Sequence, residues 1–400
     1  MAISQQEHIV IVGASAAGLS TLEGLRREGF DGRVTMVGEE NRAPYDRPPL
    51  SKQFMAGDWD TDRVQLRNAD AISALDAQWL LGTRAEALDA TNRVITLSTG
   101  KPLGYDQLVI ATGVTPRTLP GAISGVHTLK SLDDAITLRE ELAAAPDVVV
   151  IGAGPLGSEF AATARGRTDR VTLIDPSPTP LYRQLGLVVG EHIADLHRNH
   201  GVSLRMGVGA AGLLHENGRV TGVQLTDGSS VDAQLVLVAI GSVPNTAWLT
   251  GAGLTLDNGL VCDMTCAAAP GIYAAGDVAR WYNPTAGELV RIEHRMNANE
   301  QGMVVARNLL GQGRPYDPTP YFWTDHYDTT IQVRGTCGPD FSCVVAQGGL
   351  DSGRFVALYG TDSDVTAVLS CNSVKQARGY QHLVSRPHTW ADAIENLEPK

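Results

Sequence analysis

The stretch IVIVGASAAG (Ile9–Gly18) decides the fold of the first part of the chain, and VVVIGAGPLG (Val148–Gly157) repeats its pattern. Each begins with a short apolar run, typical of a buried parallel strand, and continues through closely spaced small residues into a helix-forming sequence. This order of strand, turn and helix places a pyrophosphate on a helix N-terminus, where unpaired backbone N–H groups and the helix dipole favour anions. Two such loops in one chain predict two bound nucleotides, with electrons passing between them.

An acidic residue follows each loop at the expected distance. Glu39 ends the strand-like run RVTMVG, and Asp175 ends the run RVTLI, each about twenty residues past its glycines, where a carboxylate binds a ribose. Ser15 replaces the middle glycine of the first loop, which loosens the fit of the pyrophosphate without removing it. The residues predicted to line the loops are Gly13, Ser15, Ala16, Ala17 and Gly18 in the first, and Gly152, Gly154, Pro155, Leu156 and Gly157 in the second.

Length and charge limit the possible functions. The 400 residues exceed what one core organises and predict two or three domains. With 32 Lys and Arg against 44 Asp and Glu, the net charge of −12 argues against nucleic acid as the partner. No apolar run approaches the roughly 20 residues that span a bilayer, and the N-terminus does not resemble a signal peptide. We therefore expect a soluble, cytoplasmic protein that does not bind membranes.

The five cysteines all lie in the second half of the chain, between Cys262 and Cys371, with no Cys-x-x-Cys pair and no metal-ligand spacing. They are expected to be small buried apolar residues in a reducing compartment, and no metal site is predicted.

The order of patterns indicates that one nucleotide-binding domain is inserted into another. Runs ending in glycine at Val109–Gly113 and Leu235–Gly241 flank the second loop, and Gly271–Asp277 is a further strand ending in glycine and acid. Beyond about Tyr321 the residue pattern changes. In Ile331–Ser370 apolar and polar residues alternate with period two, and turn residues occur at intervals. This last part predicts an antiparallel sheet in a separate α+β domain, closed by a helix near residues 391–397.

Several segments, in chain order, resemble one family. They are Gly13–Gly18, PYDRPPLSK (Pro44–Lys52), ATG (Ala111–Gly113), Gly154–Glu159, AGD (Ala275–Asp277) and FWTD (Phe322–Asp325). Together they resemble the FAD-dependent NADH:ferredoxin reductases of the putidaredoxin reductase and biphenyl dioxygenase reductase type, over essentially the whole chain. The second and last of these segments are more specific than either glycine loop.

The resemblance implies an α/β fold of the glutathione reductase plan, with two Rossmann-like domains and a C-terminal α+β domain. The implied domains are an FAD-binding domain at 1–114 and 241–320, an NAD-binding domain at 115–240, and the C-terminal domain at 321–400. It also implies that the protein passes electrons singly from NADH, through FAD, to a small acidic iron–sulfur ferredoxin that serves an oxygenase. A monomer or a weak homodimer is expected.

The resemblance further implies roles for individual residues. Glu39 contacts the adenosine ribose, Ala85 the adenine through its backbone, and Asp277 the ribityl or pyrophosphate part. Trp323 packs near the flavin ring. The remaining cofactor positions implied are Arg47, Lys52, Ala111, Thr112, Gly113, Lys130, Gly276, Glu293, His294 and Arg295 for FAD, and Glu159, Asp175, Arg183 and Gly241 for NAD.

Three positions depart from the family pattern. Lys130 stands where the family often has arginine, so its contact is a point charge without a bidentate fork. Arg295 follows Glu293-His294 where the family has tryptophan or a small apolar residue, and His326 replaces a usual glutamine. Because the resemblance places the last two near the flavin ring, the redox potential or the partner of this chain could differ.

Lys52 and Glu159 are the predicted catalytic residues. The resemblance places Lys52 beside the flavin nitrogen that accepts hydride, where a cation offsets the charge that reduction adds. Glu159 lies in the first turn of the helix after the second loop, from where it could pair with Lys52 or bind the nicotinamide carboxamide. Asp175 would repel a 2′-phosphate and the segment PSPT (Pro176–Thr179) offers no arginine to bind one, so NADH is favoured over NADPH, with Arg183 as the nearest cation.

Other functions remain open at the level of sequence. A thiol–disulphide reductase needs a redox cysteine pair, which the early segment Asn41–Gln53 lacks. Rubredoxin or a small radical oxidant could replace ferredoxin as the acceptor. A redox-controlled interaction protein resembling apoptosis-inducing factor is the alternative from another class, although no long basic run supports it. An acidic ferredoxin would need a basic patch on this acidic chain, for which Arg63, Arg67, Arg295 and Arg314 are the candidates.

Overall fold

A computed structural model describes residues 4–121, 123–385, 388–395 and 397. The chain forms two compact units, each built from separate segments. Unit 1 contains residues up to 46, 62–115 and 242–318, and unit 2 contains 47–61, 116–241 and 319 onward. The predicted division into FAD, NAD and C-terminal domains stays a prediction, and the segment 47–61, which that division places with the FAD domain, packs within unit 2.

The strands, in chain order, are β1 Ile9–Val12, β2 Val34–Val37, β3 Gln78–Leu80, β4 Ala85–Asp89, β5 Val94–Leu97, β6 Pro102–Gly104, β7 Gln107–Ile110, β8 Val114–Pro116, β9 Val126–His127, β10 Val148–Ile151, β11 Val171–Asp175, β12 Ser203–Met206, β13 Ala210–Glu216, β14 Arg219–Leu225, β15 Ser230–Asp232, β16 Leu235–Val238, β17 Ser242–Pro244, β18 Leu260–Cys262, β19 Ala267–Ala269, β20 Ile272–Ala274, β21 Ala279–Asn283, β22 Glu288–Val290, β23 Tyr321–His326, β24 Thr329–Gly335, β25 Ser342–Gly349, β26 Arg354–Gly360 and β27 Val365–Cys371.

The α-helices are α1 Ala16–Arg27, α2 Gln53–Ala56, α3 Ala69–Ser73, α4 Leu132–Leu142, α5 Pro155–Arg165, α6 Tyr182–Asn199, α7 Arg295–Leu309, α8 Val374–Ala377, α9 His382–Ser385 and α10 Trp390–Glu395, with 3₁₀ helices at Pro48–Ser51, Ala247–Leu249, Leu350–Ser352 and Arg378–Tyr380.

The central sheet of unit 1 has the strand order β19-β20-β7-β1-β2-β3. Strand β1 is buried along its length and pairs in parallel with β2 and β7, with Ile9 opposite Val34 and Gln107. Since parallel strands buried on both faces need continuous apolar runs, the sequence IVIV suits this central place. The carboxyl ends of β1 and β7 therefore meet at one edge of the sheet, where the first glycine loop lies.

Helices α1 and α7 of unit 1 pack closely because small residues line their contact. A Cβ added to Gly24 would lie 2.6 Å from the Cβ of Ala306, and one added to Gly302 would lie 2.5 Å from the carbonyl oxygen of Ala17. This packing brings the N-terminus of α1, at the first glycine loop, beside the chain that enters α7.

Unit 2 contains a second sheet that is parallel throughout, whereas in the first sheet the edge strand β19 pairs antiparallel with β20. The order of the second sheet is β12-β11-β10-β16-β9, and the buried strand β10 pairs with β11 and β16. Helix α5 begins within the second glycine loop, at Pro155, and packs against β10, β11 and β23. The predicted repeat of the strand, turn and helix arrangement is present in both units.

The C-terminal part of unit 2 is an antiparallel sheet of order β23-β24-β27-β26-β25. This confirms the sheet predicted from the period-two alternation of Ile331–Ser370. The expected closing helix is α10, Trp390–Glu395, although the last residues of the predicted range 391–397 lie partly outside the described residues. The segment predicted to be irregular, Arg42–Gln65, contains a 3₁₀ helix and the short helix α2, because Pro48 and Pro49 supply the φ angle that a first helical turn needs.

Candidate active site

The first glycine loop closes tightly around backbone atoms. Gly13 has a φ of 120°, and a Cβ there would lie 2.0 Å from the carbonyl oxygen of Ala111. A Cβ at Gly18 would lie 1.9 Å from the carbonyl oxygen of Gly13, so both positions require glycine. Ser15 caps α1 without a side-chain hydrogen bond to the helix, and the first turn holds no acidic residue. The N–H groups at this end of α1 are thus left for an anionic ligand.

The second glycine loop has the same geometry in unit 2. A Cβ at Gly152 would lie 2.3 Å from the carbonyl oxygen of Ala239, and one at Gly157 would lie 1.9 Å from that of Gly152. Gly154, by contrast, has no atom within 4 Å of its added Cβ. Because packing within the protein does not demand glycine there, the missing side chain leaves room for a phosphate to approach the backbone.

The acidic residues that follow the two loops have different surroundings. The Asp175 carboxylate accepts hydrogen bonds from the backbone N–H of Ala153 and of Ser177, each at 2.7 Å. The Asp175 carboxylate therefore holds the backbone of the second loop in place, and its remaining lone pairs can accept hydrogen bonds from ribose hydroxyls. Glu39 is exposed and lies 3.5 Å from Arg84, which also pairs with Glu86.

Other residues predicted to bind FAD surround the first loop within unit 1. A Cβ added to Gly276 would lie 2.9 Å from that of Ala17, and the Gly276 N–H donates to Oε1 of the buried Gln301. Ala111–Gly113 follows β7 beside Gly13, and the Thr112 hydroxyl donates to the carbonyl of Asn245 at 2.9 Å. Ala85, the first residue of β4, is buried, and Asp277 directly follows Gly276.

Arg295 does not lie free on the surface. Its Nε donates to Oδ1 of Asp46 at 2.6 Å, and only 18% of its side chain is exposed. Arg295 is the first residue of α7, and the side chain of Glu293 just before the helix accepts hydrogen bonds from Arg291 and Ser242. The Arg295 guanidinium is thus paired with a carboxylate of the segment Pro44–Lys52, and its expected part in docking stays a prediction.

Lys52 and Glu159 form the ion pair that the sequence predicted, inside unit 2. The Lys52 Nζ lies 3.1 Å from Glu159 Oε1, and a second carboxylate, Asp325 Oδ2, lies 3.7 Å from the same ammonium. Glu159 is 7% exposed, so it is not a solvated helix residue that only complements the dipole of α5. A buried carboxylate is stable there only because it has partners.

Two hydroxyl groups that sequence reasoning missed complete the surroundings of Glu159. Ser51 donates to its Oε2 at 2.8 Å, and Thr324 donates to its Oε1 at 2.8 Å. Both belong to the family-like segments, PYDRPPLSK and FWTD, but a one-dimensional pattern does not say which way a hydroxyl points. The position of Ser51 is fixed in turn by Thr163 of α5, whose hydroxyl donates to the Ser51 carbonyl at 2.8 Å.

A cluster of aromatic and hydroxyl groups adjoins Thr324. His326 is completely buried and its Nε2 lies 3.1 Å from Thr324 Oγ1. The buried His197 of α6 lies between Ser158 and Tyr327, with ring nitrogens 2.7 Å and 2.9 Å from their oxygens. Burial lowers the pKa of His197 to about 4, and burial together with His197 and Lys52 lowers that of His326 to about 3. Both rings are thus neutral near pH 7.

The remaining predicted site residues lie in several places. In unit 2, the Arg47 guanidinium donates to the carbonyl oxygen of Lys130, and the Trp323 ring stacks at 6.2 Å on that of Tyr321. Arg183 is exposed near the start of α6. The carbonyl oxygen of Gly241, also predicted, accepts from the Arg117 N–H at 2.9 Å. In unit 1, the predicted residue His294 is the N-cap of α7.

The cysteines are unlike those of a disulphide-exchanging site. The side chains of Cys262 and Cys266 are buried, and burial raises the pKa of both thiols, that of Cys266 to about 12. The five cysteines are all free thiols, and the described residues contain no cluster of His, Cys, Asp and Glu suited to a metal ion. Thiols with raised pKa values are poor nucleophiles.

Comparison with known proteins agrees with this geometry. The family model described as pyridine nucleotide-disulphide oxidoreductase matches residues 7–302, and one described as reductase C-terminal matches residues 321–394. The chain belongs to the pyridine nucleotide-disulphide oxidoreductase family. It is 36% identical to a ferredoxin–NAD(P)(+) reductase of Sphingomonas and 35% identical to putidaredoxin reductase of Pseudomonas putida, in each case over 92% of this chain and 90% of the relative.

A solved structure of a covalent putidaredoxin reductase–putidaredoxin complex matches with a TM-score of 0.90 and 35% identity, covering 95% of this chain and 93% of that one. These matches confirm the predicted fold class and the resemblance to ferredoxin reductases. In the part of the chain that the structure describes, no helix is long and apolar enough to cross a membrane.

Proposed function

We propose that this protein is an NADH:ferredoxin oxidoreductase that uses FAD. It takes two electrons as hydride from NADH and delivers them one at a time to an iron–sulfur ferredoxin that feeds an oxygenase. The single observation that carries the proposal is the buried pair of Lys52 and Glu159 on a chain whose two glycine loops are both shaped for a pyrophosphate.

The residues of the structure fit the two nucleotides. The first loop fits FAD, because Gly13 and Gly18 are enforced by backbone contacts while the N–H groups of α1 are left without an acidic side chain in the first turn. The second loop fits NADH, because Gly154 faces open space and Asp175 offers carboxylate oxygens at the end of β11. The predicted FAD-binding domain at 1–114 and 241–320 and NAD-binding domain at 115–240 are part of the proposal.

Bound FAD would supply the chemistry of accepting a hydride and returning single electrons. The protein itself supplies a positive charge, on Lys52, and a carboxylate of fixed orientation, on Glu159. Lys52 holds a positive charge in a largely buried place, where electrostatic stabilisation of an electron-rich partner is strong. Glu159 balances that charge and offers acceptor oxygens to the carboxamide of the nicotinamide, while Ser51 and Thr324 keep its carboxylate in one orientation.

The absence of a suitable cysteine pair supports single-electron delivery. The sequence contains no cysteine before Cys262, and burial raises the pKa of both Cys262 and Cys266. A thiol–disulphide exchange reaction would need a thiolate that these residues do not offer. The five free thiols also support a cytoplasmic location, where a reducing environment keeps cysteines from pairing.

We further propose that the acceptor is a small acidic ferredoxin and that the reductase works as a monomer or a weak homodimer. The relatives named as ferredoxin reductases include components of anthranilate and p-cumate dioxygenase systems, which supports an oxygenase downstream. The test is a panel of purified ferredoxins assayed with NADH and cytochrome c as the final acceptor. Fast turnover with at least one ferredoxin is expected. Turnover with rubredoxin alone, or NADH binding that alters assembly without any electron transfer, would replace the proposal with one of the two alternatives.

A further inference from the structure

His326 is the residue of unit 2 whose burial demands the most explanation. It is completely enclosed, although an imidazole is polar, and it lies two residues from Thr324 on the same face of β23. Its Nε2 is 3.1 Å from the Thr324 hydroxyl, its Nδ1 has no hydrogen bond of ordinary geometry among the described residues, and the Ser158 backbone carbonyl also faces the ring. An unpartnered buried acceptor has a free-energy cost, so a compensating role is expected.

The direction of the hydrogen bonds follows from counting protons. A threonine hydroxyl has one proton, and Thr324 donates it to the Glu159 carboxylate at 2.8 Å. The Thr324 oxygen can therefore only accept from His326, which requires the proton of the neutral imidazole on Nε2 and leaves Nδ1 bare. The chain of donors runs from His326 to Thr324 to Glu159 and ends on the oxygen that also faces Lys52.

The charges around this chain keep His326 neutral. His197 of α6 and Lys52, from the segment before α2, act on His326 directly, while Glu159 of α5 and Asp325 of β23 itself pair with Lys52. Burial, His197 and Lys52 together lower the pKa of His326 to about 3. An imidazolium at this position would repel Lys52, whereas a neutral Nε2–H group donates without adding charge.

We propose that His326 is a positioning residue which, through the Thr324 hydroxyl, keeps the Glu159 carboxylate directed at Lys52. The inference rests on the proposed function in one respect, which is that Glu159 takes part in reduction by NADH. The family resemblance places glutamine at this position, and an amide N–H donates to Thr324 as an Nε2–H does. A leucine fills a similar space and donates nothing.

The first test measures the tautomer and is independent of electron transfer. In protein labelled with ¹⁵N-histidine, the signal that disappears in His326→Gln is assigned to His326. Between pH 5.5 and 8 it is expected to remain neutral with the proton on Nε2. A proton on Nδ1, or an imidazolium at pH 6, would overturn the proposal because either reverses or removes the donation to Thr324.

The second test measures the rate of flavin reduction by NADH in stopped flow. Without the donor chain the Glu159 carboxylate is less well oriented, so the rate is expected to fall about tenfold in His326→Leu and in Thr324→Val. His326→Gln and Thr324→Ser restore a donor and are expected to keep the rate of the parent. The matched control is His200→Gln, which removes an exposed imidazole that stacks on Tyr327 outside the chain of donors.

Thermal midpoints and flavin content of each variant separate positioning from folding. A parental rate in His326→Leu, or an equal loss of rate in His326→Leu and His326→Gln, would mean that His326 only packs, and the proposal fails. The failure of the proposed function has a different signature: the parent protein would be reduced slowly by NADH or would pass no electrons to any ferredoxin. The tautomer found by NMR would still decide the direction of the hydrogen bonds in that case.

Discussion

The Nζ of Lys52 lies 3.1 Å from Oε1 of Glu159, with only 12% and 9% of the two side chains exposed. Exposed ion pairs contribute little to stability, but breaking a buried pair leaves one charge without compensation. The same ammonium is also 3.7 Å from Asp325 Oδ2. One cation is thus held by two carboxylates, and a change at Glu159 alters its balance without abolishing it.

Glu159→Gln is the change that tests this balance. The amide keeps the shape of the side chain but removes the charge facing Lys52, so flavin reduction by NADH is expected to slow by about tenfold to a hundredfold, or about 1.4–2.7 kcal/mol. Glu191→Gln removes a half-exposed carboxylate of α6 and serves as the control. Reduction at the parental rate in Glu159→Gln would mean that the pair is structural only.

The first glycine loop predicts how FAD is held. The purified protein is expected to be yellow and to release FAD, not FMN, on heating. Gly18→Ala is expected to abolish flavin binding, because the added Cβ would lie 1.9 Å from the carbonyl oxygen of Gly13. Gly379→Ala is the control, since Gly379, like Gly18, does not have a positive φ, but no atom lies within 4 Å of its added Cβ. Normal flavin content in Gly18→Ala would contradict this account of the loop.

The preference for NADH depends on Asp175. Its carboxylate would repel a 2′-phosphate, so flavin reduction is expected to be at least about tenfold faster per concentration with NADH than with NADPH, a difference of about 1.4 kcal/mol. Asp175→Asn is expected to bring the NADH and NADPH rates closer together. Its single amide oxygen keeps one of the two backbone hydrogen bonds that the carboxylate accepts, from Ala153 and from Ser177. Stopped-flow rates with both nucleotides measure the ratio. Equal rates in the parent protein would refute the prediction, with Arg183 as the first residue to test next.

Both parallel sheets and the antiparallel sheet could be predicted from the sequence, because strand burial and glycine spacing are local properties of the chain. The pair of Lys52 and Glu159 was also predictable, through the family resemblance. The hydroxyl of Thr324 and the contact of Arg295 with Asp46 could not be, since both depend on which distant segments meet. The sequence alone does not say whether a charged side chain such as Arg295 faces solvent or pairs with a residue of another segment.

The two buried histidines predict a loss of stability in acid. The pKa of His197 is lowered to about 4 and that of His326 to about 3, while both return to about 6.5 when the chain unfolds. The unfolded state therefore binds more protons below pH 6.5, and stability present above that pH is lost as the pH falls. Between pH 7 and pH 5 each histidine is expected to cost about 2 kcal/mol, because the unfolded chain protonates there while both buried rings stay neutral.

Urea unfolding of the flavin-loaded protein at pH 7 and pH 5 measures this loss. In His326→Gln the drop in unfolding free energy between the two pH values is expected to be smaller than in the parent. His382→Gln, which changes an imidazole of the short helix α9, is the control and is expected to leave the drop unchanged. An equal drop in the parent and in His326→Gln would show that other groups dominate the acid response.

The docking of ferredoxin is expected to depend on Arg63 and Arg314, both exposed on unit 1. The net charge of −12 makes the encounter with an acidic ferredoxin repulsive overall, so a local basic field must guide it, and such a field acts over about 10 Å at ordinary salt. Arg295 is only 18% exposed, and Arg67 is left unchanged so that its ion pair with Glu23 stays intact. The double variant Arg63→Glu and Arg314→Glu is expected to slow ferredoxin reduction about tenfold or more at low salt and to weaken its salt dependence. NADH-dependent reduction of a small dye is expected to stay near the parental rate.

The control is the double variant Lys101→Glu and Arg93→Glu, which makes the same change in net charge at the turns around β5. Its effect on the rate of ferredoxin reduction is expected to be much smaller. Ferredoxin turnover that survives the double reversal at low salt would place the docking surface elsewhere.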